Sequence, residues 1–210
     1  MCSFFENICI YTILNCNYLI NVMKEILYVH GYNSSGETGR TLAKLLENDY
    51  KVHHFPIPVN ADEAINKVKN YLKEHSNISL VVGTSLGGFI TSRMNGYLKL
   101  MINPCMLPSV ELPKLGCEKE LANTYKKYED DLSFLDREEK ASTFIMFGTK
   151  DELIDYSGYC KKLYRKNNFS VIPGGHHRVS KEELIDWVIP RIKGILEVES
   201  KKLYEHFENI

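Results

Sequence analysis

The stretch ISLVVGTSLGGF, Ile78–Phe89, decides the fold. Its first five residues are an uninterrupted apolar run, the pattern of a strand buried on both faces. Gly83-Thr84-Ser85-Leu86-Gly87 follows, and Phe89–Tyr97 then continues as an apolar helical segment. Strand, sharp turn and helix in that order make a nucleophile elbow. Chemistry explains the glycines: the turn must raise the Ser85 hydroxyl above the sheet edge in strained dihedrals. A side chain at Gly83 or Gly87 would collide with neighbouring backbone. The Leu86 N–H, at the positive end of the following helix, points toward a reacting carbonyl. A G-x-S-x-G pentapeptide alone also fits a tight turn without catalysis, and the flanking strand and helix argue against that.

Working outward, the same alternation recurs. Ile26–Val29 is a short strand running into His30-Gly31-Tyr32-Asn33-Ser34-Ser35. A glycine-containing loop here is where α/β-hydrolases find a second oxyanion donor, which makes the Tyr32 N–H the candidate. His30 reads as a loop-fixing residue and Asn33 as a neighbour of the site. Val52–Phe55 is a second strand, stopped by Pro56 and Pro58. Residues 61–74 form the clearest helix, with Asn60 as N-cap and Glu63 three residues on. Leu100–Ile102, Thr143–Phe147 and Phe169–Ile172 complete six strands, and Tyr156–Lys166 is predicted helical. A final helix opens at Ser180 with a Ser180/Glu183 capping box and is interrupted or kinked at Pro190. Residues 105–140 read as irregular, helical near 118–130, forming a small cap that lines an acyl pocket. Continuous apolar strands separated by helices imply a mostly parallel six-stranded sheet with helices on both faces, an α/β fold.

Two further positions complete the chemistry. Asp151 follows the fifth strand on a loop at the sheet's C-terminal edge, where a triad acid belongs. Asp155 competes for that role but sits close to the next helix start, as an N-cap would. In PGGHHR after the last strand, a Gly-Gly turn can carry either His176 or His177 over the sheet edge as general base. The chain order Ser, Asp, His is that of α/β-hydrolases. His53, His54, His75 and His206 have no such setting and read as structural or solvated.

Bulk properties narrow the classes. The 210 residues suit one domain, with 44% hydrophobic and 25% charged residues. A formal net charge of −1 gives no reason to expect nucleic acid or an anionic membrane as partner. Six cysteines form no CxxC pair, so no metal site is expected, and they read as reduced thiols of a cytoplasmic protein. Residues 1–22 are apolar and Asn-rich, yet lack the basic start and cleavage site of a secretory signal. Glu6, Asn7, Asn15, Asn17 and Asn21 break them as a membrane span. They read as a leader outside the core fold: an upstream-start artefact, a docking segment or a weak membrane anchor, in that order. The spacing of Cys2, Cys9 and Cys16 reads as coincidence. Residues 23–210 are the domain.

ILYVHGYNSS, VVGTSLGGF, MINPCMLP, the TKDELIDY segment and GGHHR together resemble the YqiA/YcfP family of bacterial esterases over roughly residues 23–196. The resemblance implies an α/β-hydrolase fold without a large lid, hydrolysis of acyl esters and acyl-CoA thioesters, and no cofactor. Carried over by position, it makes Ser85 the nucleophile, Asp151 the acid and His177 the base. The family has Asn where His176 stands. Asn103 and Pro104 match its NP after the fourth strand and are expected to shape the floor of the site. Other expectations compatible with the residues are a peptidase or acyltransferase with the same triad, or a binding protein that kept the fold.

Overall fold

The computed structural model describes residues 23–164 and 168–208, so the leader, with Cys2, Cys9 and Cys16, lies outside the described residues. Six strands form one sheet in the order β2-β1-β3-β4-β5-β6. They are β1 (Glu25–Val29), β2 (Lys51–Phe55), β3 (Ile78–Thr84), β4 (Leu98–Ile102), β5 (Thr143–Gly148) and β6 (Phe169–Ile172). Every neighbouring pair is parallel.

Side-chain alternation along β1 shows why these strands read as unbroken apolar runs. Leu27 and Val29 pack on one face with α2 (Ala61–Glu74) and α3 (Leu86–Ser92), through Ala64, Ile65, Val68 and Phe89. Ile26 and Tyr28 pack on the other with α1 (Glu37–Leu46) and the C-terminal helix, through Leu42, Leu46, Val188 and Ile192. Both faces are covered, so both sets of alternating residues are apolar. Helix α2 begins as expected: the Asn60 side chain accepts hydrogen bonds from the Asp62 and Glu63 amides.

One expectation needs correction. Residues 105–140 are a chain of short helices, not an irregular segment: α4 (Pro108–Lys114), α5 (Lys119–Asn123), α6 (Lys126–Asp130), a 3₁₀ turn at Asp131–Phe134 and α7 (Arg137–Ala141). Each is too short to display a helical period, and Pro108 and Pro113 blur the first. This segment packs down onto the sheet through Leu112, Ala122, Tyr125 and Leu132. Buried Glu129 fastens it by accepting hydrogen bonds from the Ser109 amide and hydroxyl, each at 2.7 Å. The final helix carries its expected irregularity just before Pro190 and continues beyond it. Ser180 and Glu183 form the expected capping box on Lys181–Glu183 (α9), and a π-helical stretch, Leu184–Val188, leads into Ile189–Glu208 (α10). The wide turn before Pro190 accommodates a residue that cannot donate to the helical ladder. Helix α8 (Ser157–Leu163) is shorter than Tyr156–Lys166, part of which lies outside the described residues.

Candidate active site

The turn between β3 and α3 puts Ser85 at φ 53° and ψ −121°, a strained conformation for a residue with a side chain. The surroundings hold it there. The Ser85 amide donates to the Ile102 carbonyl at 3.1 Å, and its carbonyl accepts from Cys105 N–H at 3.0 Å. A Cβ at Gly83 would lie 2.2 Å from the Gly87 carbonyl oxygen, and one at Gly87 would lie 2.1 Å from the Val29 carbonyl oxygen. Both glycines are therefore demanded by close backbone approach.

His177 reaches this hydroxyl from the loop after β6. Its Nε2 is 2.9 Å from Ser85 Oγ, and its Nδ1 is 2.8 Å from Asp151 Oδ2. The side chains of His177 and Asp151 are only 7% and 6% exposed, so the contact is shielded from water. The other Asp151 oxygen accepts from the Leu153 and Ile154 amides at 2.9 and 3.0 Å, which fixes the carboxylate's orientation. Asp155 takes no part. It accepts from the Ser157 amide at 2.8 Å, at the start of α8. His176, the neighbour of His177, turns outward: its Nδ1 lies 3.1 Å from Glu152, and its side chain is 61% exposed.

Asn103 holds the histidine loop in place, a role the sequence did not disclose. At φ 45° it ends β4, its Nδ2 donates to the carbonyls of His176 and His177 at 2.8 and 3.2 Å, and its Oδ1 accepts from the Gly148 amide at 2.7 Å. One buried amide side chain thus ties β4, the end of β5 and the loop together. Glu152 assists by accepting from the His177 amide at 3.3 Å. An Asn beside Pro104 at a strand end was the only signal in the chain, and its partners lie far away in sequence.

The residue 31–35 loop stands beside the serine. A Cβ on Gly31 would come within 3.2 Å of Ser85 Cβ, so nothing larger than glycine fits there without a shift. Among the described residues, neither the Tyr32 nor the Leu86 amide donates to a protein acceptor. Ser85 and His177 open onto a cavity of about 560 Å³. Asn33, Thr38, Thr41, Arg178 and Lys181 give this cavity polar walls, and Leu115 and Leu153 add exposed apolar surface. Leu115 is the part of residues 105–140 that lines it, so the expected pocket wall from this segment reduces to one side chain. Among the described residues there is no cluster of three or more His, Cys, Asp or Glu able to hold a metal ion. Cys105, Cys117 and Cys160 are buried free thiols.

His30 does not line the Ser85 cavity. Its ring packs edge-on against Tyr28 and His54, and a Cβ on Gly39 would come within 2.7 Å of it. Burial, reinforced by His54 and Arg40, lowers its pKa from the ordinary 6.5 to about 4. A histidine held neutral when folded takes up its proton on unfolding, so its contribution to stability is present above pH 6.5 and is lost as pH falls toward 4. Urea unfolding across that window should take up nearly one proton more in the wild-type chain than in His30→Gln.

Fold and site geometry together define an α/β-hydrolase-fold protein. The chain matches the uncharacterised protein family UPF0227 over residues 25–192, and it belongs to that family. No curated protein matches it. Among solved structures it is similar to the type II thioesterase BorB from the borrelidin biosynthetic cluster, with TM-score 0.55 and 14% identity over 84% of this chain and 92% of that one. It is also similar to Paleococcus ferrophilus monoacylglycerol lipase, with TM-score 0.54 and 15% identity over 84% and 94% of the two chains. Bacillus megaterium epoxide hydrolase gives TM-score 0.54 and 12% identity over 83% and 93%. At these identities the likeness establishes the fold. Among the described residues no helix is long and apolar enough to cross a membrane.

Proposed function

We propose that this chain is a serine hydrolase that cleaves acyl esters or acyl-CoA thioesters, as the YqiA-like resemblance implies. The observation that carries the reading is the unbroken path from Ser85 Oγ through His177 to Asp151, with hydrogen-bond distances of 2.9 and 2.8 Å. His177 Nε2 takes the Ser85 proton as Oγ bonds to the acyl carbon. Asp151 holds the proton-bearing Nδ1 of the imidazole and stabilises the imidazolium. The Tyr32 and Leu86 amides receive the carbonyl oxygen as it becomes an oxyanion. The imidazolium then protonates the departing alcohol or thiol, the C–O or C–S bond breaks, and an acyl-serine remains. Water, deprotonated by His177, hydrolyses this ester and restores the hydroxyl.

A fluorophosphonate probe tests the reading directly. It should label the folded wild-type chain and fail to label Ser85→Ala; a folded wild-type chain that resists labelling would make this a binding protein. A chain beginning at Met23 should label equally, because residues 1–22 are proposed to lie outside the domain.

Asn103 is a positioning residue in this scheme. Replacing it with alanine releases the His177 loop without touching a reacting atom. Turnover should fall about tenfold to a hundredfold, with KM nearly unchanged, as expected for a base displaced by a fraction of an ångström to an ångström. Asn103→Asp should restore little, because a carboxylate cannot donate to the two carbonyls.

A further inference from the structure

A second cavity, of about 450 Å³, shares the loop from Gly31 to Ser35 with the Ser85 cavity as a common wall. Ser85 and His177 do not border it. Its basic side chains are Arg40, His30 and His54, and no aspartate or glutamate lines it. The Arg40 guanidinium donates to the Ser35 carbonyl at 3.0 Å and forms no ion pair among the described residues. His30 and His54 meet edge-on with ring centres 5.5 Å apart. His30 is 6% exposed, and its Nδ1 is buried without a partner among the described residues. Burial holds both imidazoles below their ordinary pKa, and Arg40 reinforces this in each. Arg40 thus brings a positive charge without a carboxylate partner, and the two neutral imidazoles beside it can each donate an N–H, so the cavity offers one cation and further donors to an anion. Phe55, Ile57 and Val59 supply an apolar surface beside them.

We propose that this cavity binds a phosphate monoester with an apolar body. The phosphoryl oxygens meet Arg40, His54 and His30, and the apolar part lies along Phe55–Val59. Three side chains with N–H donors suit the three non-bridging oxygens of a phosphate better than the two of a carboxylate. The site is independent of the acyl-hydrolase reading and makes no use of the serine.

Phenyl phosphate is the probe, titrated into the full-length chain by calorimetry and by the histidine resonances in NMR. Saturable binding at or below about 1 mM is expected, with shifts at His54 and His30. Arg40→Gln should weaken it about tenfold or more, the usual loss for a hydrogen bond to a charged group, and Arg178→Gln should leave it unchanged. Arg40 lies on the surface, and His54→Gln serves as the second variant if thermal unfolding shows Arg40→Gln to be misfolded. No saturation, equal affinity in the folded variants, or equal affinity for benzoate would each overturn the proposal.

Discussion

Alanine at Ser85 should lower turnover of p-nitrophenyl butyrate by on the order of 10⁴-fold or more, with a much smaller change in KM. The Ser85 hydroxyl is the proposed nucleophile, and 2.9 Å separates it from the imidazole of His177. His177→Ala should cost nearly as much, and the double variant no more than the worse single one, because nucleophile and base act as a unit. Asp151→Asn should lose on the order of 10³–10⁴-fold, since an amide favours the wrong imidazole tautomer. His176→Ala should stay within about threefold of wild type, because its ring points to solvent and Glu152. Steady-state rates on this one ester decide the matter. A large loss at His176 with little at His177 would reverse the assignment of the base, and full activity in Ser85→Ala would remove the serine mechanism.

Gly87→Ala should be the most damaging small substitution for folding. The added methyl would stand 2.1 Å from the Val29 carbonyl oxygen and 2.6 Å from that of His30. Neither obstacle is a flexible side chain. Both are main-chain atoms at the end of β1, an interior strand paired on both sides. Relief requires pulling α3 away from the sheet, which breaks contacts of Phe89 and Ile90 in the core. A cost of about 3 kcal/mol or more is expected, at the top of the usual range for overpacking and a large share of a typical domain's stability. The midpoint of urea unfolding should drop accordingly. Gly158→Ala is the matched control, since a Cβ there has no neighbour within 4 Å and the position is helical.

The parts of the fold legible in the sequence are those set by neighbouring residues. The Ile78–Gly87 stretch carries strand, turn and helix start within one window, so Ser85 and its two glycines could be read together. Asp151 and His177 could be placed at the sheet edge because each follows a strand whose apolar run is visible. The choice between Asp151 and Asp155 also had a local basis, since the latter sits at a helix start. What escaped reading depends on meetings across the chain. The three side-chain hydrogen bonds of Asn103 join segments distant in sequence. His30 and His54 come together because β1 and β2 are adjacent, and nothing near either residue announces it. The helices of residues 105–140 are too brief to show a period and take their stability from the sheet beneath them.

The strand order carries a consequence for the order of events during synthesis. Of the six strands β1 is made before the others, and β2, the partner on one side, soon follows. The partner on the other side, β3, is made only after the whole of α2. Until then a nascent chain carries Ile26–Val29 with one edge unpaired, four apolar residues that are fully buried in the finished molecule. Such a segment invites association with other chains, and parallel pairing across long stretches is slow to close. The emergence of Ile78–Thr84 is therefore the moment at which the growing polypeptide first shields its own sticky centre.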